Sequence, residues 1–277
     1  MSGDRAVEPA DPTPEEAASM TPHISESRWI RTFHAKEHGA ARLACFPHAG
    51  GSAHAFIPLS AALPDDIELL AVQYPGRHER RAEPCAEDIG RLAEGAARAL
   101  AAYTDGPLFL LGHSMGAVVA FEAARLLAEQ GAVTRLFASA ARAPAQDWEE
   151  RDLDACTDHE IIAELRRLGG VPEPLLQDED TVREVLRLLR ADHRSLRRYR
   201  CPADAVLAIP ITVLLGDTDP KNSVEQVREW AGHSSGGFGI DVLPGGHFAL
   251  TDRQSGSVPL LVRRIREDRG AQPDDRL

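Results

Sequence analysis

Cysteine is scarce in this chain, with four in 277 residues. Cys45, Cys85, Cys156 and Cys201 lie far apart, without C-x-x-C or Cys/His ligand spacing, which argues against a disulfide framework and a zinc site. Buried or incidental thiols are the expectation. The chain also lacks an apolar run near the roughly 20 residues that span a bilayer, and Met-Ser-Gly-Asp-Arg at its start lacks the apolar core of a signal peptide. A cytoplasmic protein is expected. Positive charge is short as well: 31 Lys and Arg stand against 43 Asp and Glu, a formal net charge of -12. Nucleic acid, whose phosphates are bound by clustered cations, is therefore disfavoured as a partner, and so is a membrane surface.

What is present is alternation. After residues 1–27, rich in Pro, Ala, Ser, Thr and acids and read as a disordered tail, a weak edge strand over Trp29–Phe33 precedes an apolar run, Ala41–Phe46. That run feeds the Gly-rich loop His48-Ala49-Gly50-Gly51. Short strands are predicted at Ile67–Val72, Leu108–Leu111, Val133–Ala138, Ile211–Leu215 and Ile240–Leu243. Helical spacing separates them, as in Ile89–Ala102 and Ala117–Gln130. Strand, crossover and strand units imply an α/β fold with a mainly parallel sheet, whose ligands sit at the carboxyl ends of the strands. Residues 28–267 are read as one domain, with a strandless insertion at about 146–208 and a polar tail at 268–277. Within the insertion, Thr157 and Glu160 form a capping box ahead of a helix that stops at Gly169-Gly170. Two further helices are expected, over Val182–Leu189 and Ala191–Arg200, and the insertion is read as a lid.

The chemistry centres on Gly112-His113-Ser114-Met115-Gly116, which lies between a predicted strand and a predicted helix. This G-x-S-x-G is a nucleophile elbow, holding Ser114 in a strained conformation with its hydroxyl above the sheet. A serine needs a base and a carboxylate that orients it. In an α/β-hydrolase fold these follow in the order acid, then histidine. His247, led in by Pro244-Gly245-Gly246, is the expected base. His159, His193 and His233 are read as solvated histidines on helices or their ends. Asp217 and Asp219 share one turn; Asp219 is preferred as the acid, with Asp217 holding the turn through its own backbone. The Met115 and Ala49 backbone N–H groups are the expected oxyanion donors.

Beside the elbow, four other stretches complete a pattern: Phe46-Pro47-His48-Ala49-Gly50-Gly51-Ser52, Gln73-Tyr74-Pro75-Gly76-Arg77, Arg190-Ala191-Asp192 and Gly245-Gly246-His247-Phe248. Together they resemble the type II thioesterases of polyketide and nonribosomal peptide assembly lines, from about Arg42 to Arg264. The resemblance implies an α/β-hydrolase fold with a helical lid, a Ser114, Asp219 and His247 triad, and oxyanion donors at Ala49 and Met115. It implies hydrolysis of acyl groups from the phosphopantetheine arm of an acyl or peptidyl carrier protein. No cofactor or metal is expected, and the protein is expected to be a monomer. In this sequence Arg-Ala-Asp is followed by His193 where the family carries an aromatic. The arginine-rich stretch 183–200, notably Arg190, Arg194 and Arg198, is a candidate carrier-docking face; the alternative is a solvated helix face paired with nearby acids. The same triad would serve a carboxylesterase or lipase on oxygen esters, or an acyltransferase or cyclising thioesterase.

Overall fold

The computed structural model describes residues 28–36, 41–128, 131–146, 151–171, 173–202 and 204–271. The expected tail at 1–27 lies outside them. Seven strands form one sheet: β1 (Ile30–Arg31), β2 (Ala41–Phe46), β3 (Ile67–Val72), β4 (Leu108–His113), β5 (Val133–Ser139), β6 (Ile211–Gly216) and β7 (Phe238–Leu243). Their order is β1-β3-β2-β4-β5-β6-β7, and only β1 runs antiparallel to its neighbour. This is the α/β-hydrolase arrangement anticipated from the sequence.

Central strands are apolar throughout because both of their faces are covered. In β4, Leu108 and Leu110 join one buried cluster while Phe109 and Leu111 join another. Helices α1 (Ile57–Ala62), α2 (Ile89–Leu100) and α3 (Met115–Leu127) follow β2, β3 and β4 in the chain. Leu92 and Ala96 of α2, with Val118 and Phe121 of α3, fill the first cluster. Leu59 of α1 lies in the second, opposite Leu261 and Ile265 of the terminal helix. The Asp88 side chain caps α2 by accepting the Arg91 N–H at 2.8 Å.

The insertion contains α4 (Asp158–Leu168) and α5 (Glu179–Arg198); the short α6 (Val224–Val227) and α7 (Ser257–Ala271) come later. Thr157 and Glu160 make the expected reciprocal capping box, and Gly169 ends α4 at φ 76°. Two expectations need correction. The two helices predicted across 182–200 are one helix of 20 residues. Nothing in Arg190-Ala191-Asp192 breaks a helix, and Leu186, Leu189 and Leu196 stay buried across the supposed break. The polar tail expected from 268 is helical through Ala271. Asp268 accepts two hydrogen bonds from Arg135 on β5, at 2.6 and 2.7 Å, so polarity there marks an ion-paired helix end rather than fraying. Residues 272–277 lie outside the described ones.

Register places the chemistry. Phe46 pairs with Gly112, His113 with Ser139, Ser139 with Leu214, and Gly216 with Leu243. Five strands therefore end along one edge, and the loops after β2, β4, β5, β6 and β7 converge there. Among the described residues, no helix is long and apolar enough to cross a membrane.

Candidate active site

Ser114 sits between β4 and α3 at φ 53° and ψ -120°, a region costly for any residue with a Cβ. The surroundings hold it there. Its N–H donates to Ser139 O at 2.8 Å, and its carbonyl accepts the Ala117 N–H at 2.9 Å. Two glycines permit the close approach. A Cβ at Gly112 would lie 2.2 Å from Gly116 O, and one at Gly116 would lie 2.1 Å from Phe46 O. The elbow is thus pressed against the end of β2, which brings Met115, the first residue of α3, near the loop carrying Ala49. A first-turn N–H has no partner within its helix. Ala49 N–H likewise has no acceptor among the described residues, whereas Gly50 N–H, Gly51 N–H and Ala53 N–H all do.

His247 Nδ1 lies 3.1 Å from each carboxylate oxygen of Asp219. The Asp219 side chain is buried and also accepts from Lys221 N–H and from Asn222 Nδ2, each at 2.8 Å. Burial alone would raise its carboxyl, but the His247 contact and the Asn222 and Lys221 bonds outweigh it and hold the pKa below the usual carboxylate value. Asn222 was not anticipated; it ties Asp219 to the loop after β5 through Ala140 O at 3.1 Å. Asp217 does not serve its own turn. Its Oδ1 accepts the Gly245 N–H at 2.8 Å, joining the acid loop to the histidine loop. Ser114 and His247 line one cavity of about 330 Å³, walled by Ile161, Leu165 and Leu168 of α4 and by Leu189 of α5. A smaller compartment of about 90 Å³ adjoins it at Ala49, Val185 and Phe248. No hydrogen bond joins Ser114 to His247 among the described residues; catalytic bonds of this kind tighten when substrate binds.

The remaining histidines depart from expectation in part. His193 lines both compartments, and His233 is buried with Nδ1 at 2.8 Å from Ala205 O. Only His159 is exposed as predicted. Beneath His247 lies buried His113, its ring centroid 5.4 Å from that of His247 and 5.6 Å from that of His48. Burial pushes His113 well below its usual pKa and takes His48 down to about 4, with the positive charge of a protonated His247 lowering both further. The folded chain thus keeps these rings neutral where the unfolded chain protonates them, below about pH 6.5. The His48 contribution to stability is complete above that pH and is lost as pH falls towards about 4, by about 1.4 kcal/mol per pH unit, and His113 acts in the same direction. The urea midpoint should therefore drop between pH 7 and pH 5. An unchanged midpoint would show that the rings are not held neutral.

Of the arginines expected to face a carrier, Arg190 turns onto the insertion's own backbone. It donates to Leu153 O and Cys156 O at 3.1 Å and pairs with Asp158 at 2.8 Å. Arg194 pairs with Asp154 at 2.8 Å, and Arg198 makes a long contact, 3.5 Å to Glu87 O. Arg194 and Arg198 line a separate surface recess of about 290 Å³ with Cys85 and Arg187.

The thioesterase domain model matches residues 41–268. The thioesterase PikA5 of Streptomyces venezuelae is 42% identical over 260 residues, covering 92% of this chain and 91% of that protein. A probable cadicidin biosynthesis thioesterase of Streptomyces griseus is 39% identical over 280 residues, covering 97% and 77%. Among solved structures, the type II thioesterase BorB from the borrelidin biosynthetic cluster superposes with a TM-score of 0.79 at 39% identity, over 86% of this chain and 98% of that one. With the family model spanning most of the chain and relatives aligned along most of their length, the chain belongs to the thioesterase family, among its type II members.

Proposed function

We propose that this protein removes acyl groups from the phosphopantetheine arm of an acyl or peptidyl carrier protein, freeing stalled or misprimed synthases. The observation that carries the reading is His247, backed by buried Asp219, opening onto the same cavity as Ser114 at its strained elbow. In this mechanism Ser114 Oγ attacks the thioester carbonyl as His247 Nε2 takes its proton, and Asp219 holds Nδ1–H and stabilises the cation. The Ala49 and Met115 N–H groups receive the oxyanion. The C–S bond then breaks, the thiol leaves with the proton from His247, and a water activated by His247 hydrolyses the acyl-enzyme. The apolar side chains Ile161, Leu165, Leu168 and Leu189, which line the cavity beside Glu160 and Glu164 of α4, support an acyl chain as the bound group, and the insertion acts as the lid over it.

The test is intact-mass analysis of carriers loaded with acetyl, propionyl, malonyl or longer chains. Free phosphopantetheine thiol is expected with the native protein and not with its Ser114→Ala variant. Persistence of every acyl group while simple oxygen esters are cleaved would replace this reading with a carboxylesterase. We place the carrier against the recess at Arg194 and Arg198. An Arg194→Glu/Arg198→Glu variant should then raise KM for carrier-bound substrate and spare a small acyl thioester, whereas equal effects on both would remove the docking assignment.

A further inference from the structure

Two of the motifs singled out in the sequence, Gln73-Tyr74-Pro75-Gly76-Arg77 and Arg190-Ala191-Asp192, take no part in the chemistry above. The fold brings them together. Arg77 and Asp192, with side chains 1% and 3% exposed, form a buried ion pair between the loop after β3 and helix α5. Both carboxylate oxygens of Asp192 accept from Arg77 Nη2. The pair does not stop at itself. Asp192 Oδ2 also accepts the Gly50 N–H at 2.7 Å, and Arg77 Nε donates to Gly51 O at 2.9 Å. Gln73 Oε1 accepts the Ala53 N–H at 2.7 Å. One turn before Asp192 on the same helix, Leu189 closes on Gly50, where a Cβ would lie 2.9 Å from Leu189 Cγ.

These bonds orient two peptide planes. The plane joining His48 and Ala49 is set by Gly51 N–H donating to His48 O at 2.9 Å. Because the peptide is planar and trans, that points the Ala49 N–H the opposite way. The plane joining Ala49 and Gly50 is set by Asp192 through the Gly50 N–H. With Gly50 N–H held by Asp192 and Gly51 O held by Arg77, the turn that keeps Gly51 N–H on His48 O, and with it the direction of the Ala49 N–H, is fixed from both sides; a flip of the Ala49–Gly50 plane would open that turn. Gly50, at φ 75° and without a Cβ, offers little intrinsic resistance to such a flip. A buried ion pair is weak as a source of stability, so its placement on this loop calls for another role.

We infer that Arg77 and Asp192 are positioning residues that hold the Ala49 N–H as an oxyanion donor, and that the donor is in place only while α5 is seated on the loop. The inference rests on the thioesterase reading and deepens it: the lid helix that walls the acyl cavity also completes the catalytic geometry. Binding an acyl chain against Leu189 and stabilising the tetrahedral intermediate are then served by one turn of helix.

The test uses two variants of the full chain on a small acyl thioester. The double variant Arg77→Met/Asp192→Leu removes both charges together, so that neither is left buried alone; the amide pair Arg77→Gln/Asp192→Asn does so too and keeps an oxygen for the Gly50 N–H. The double variant should lose about 10²-fold or more in kcat with KM within a few fold. Its affinity for a trifluoromethyl ketone that forms a tetrahedral adduct on Ser114 should fall by a similar factor. The amide pair should lose about tenfold, again in kcat and adduct affinity rather than in KM, and it answers the question if the double variant does not fold. Folded variants with native kcat and adduct affinity, or with losses confined to KM, would overturn the positioning role. Absence of thioester hydrolysis by the native protein in the same assay would instead overturn the underlying reading.

Discussion

Replacing Ser114 with alanine should lower thioester turnover by about 10⁵-fold or more while leaving the protein folded. The magnitude follows from the unit character of a serine, histidine and carboxylate assembly, in which loss of the nucleophile removes nearly the whole contribution of the three. What remains comes from binding and the oxyanion donors. The fold should survive because an alanine Cβ meets the same backbone strain at φ 53° that the serine already bears. Glycine at the same place lacks that Cβ and should be more stable than alanine by about 1 kcal/mol. Single-turnover rates on a small acyl thioester, with thermal unfolding of both variants, check the two halves separately. Retained hydrolysis by Ser114→Ala would sink the nucleophile assignment.

Asp219→Asn should cost about 10⁴-fold in kcat, the penalty of leaving the imidazole in the wrong tautomer. The geometry explains why an amide cannot stand in. Both carboxylate oxygens already face donors, from Lys221, Asn222 and His247. An amide NH₂ in either place would meet a donor rather than accept from one. Asp217→Asn provides the contrast, because an amide oxygen can still accept the Gly245 N–H, and its loss should stay below about tenfold. Purified variants assayed side by side give the answer, and the opposite ranking would move the acid role to Asp217.

The choice between those two aspartates marks the boundary of what pattern can reveal. Both follow the same strand in the same turn, and their local sequence is nearly symmetrical. One carboxylate meets His247 and the other the Gly245 amide, a difference set by how the loops after β6 and β7 pack. Asn222 was invisible for the same reason, since an asparagine three residues past an acid carries no signal until Ala140 is placed beneath it. His193 and His233 were read as solvated because helical position says nothing of what a helix packs against. Helix α5 runs unbroken through the boundary expected near Arg190, because no residue there breaks a helix.

Local chemistry determined the strands, the elbow, the capping box at Thr157 and Glu160, and the histidine after Pro-Gly-Gly, because each depends on periodicity or on backbone demands within a few residues. Tertiary structure alone decided which acid faces His247, that Asp268 closes a helix end onto Arg135, and that Arg77 meets Asp192 across 115 positions of chain. Those are pairings of groups far apart in sequence, and their partners exist only once the sheet has brought its strand ends to one edge and the insertion has been laid over them.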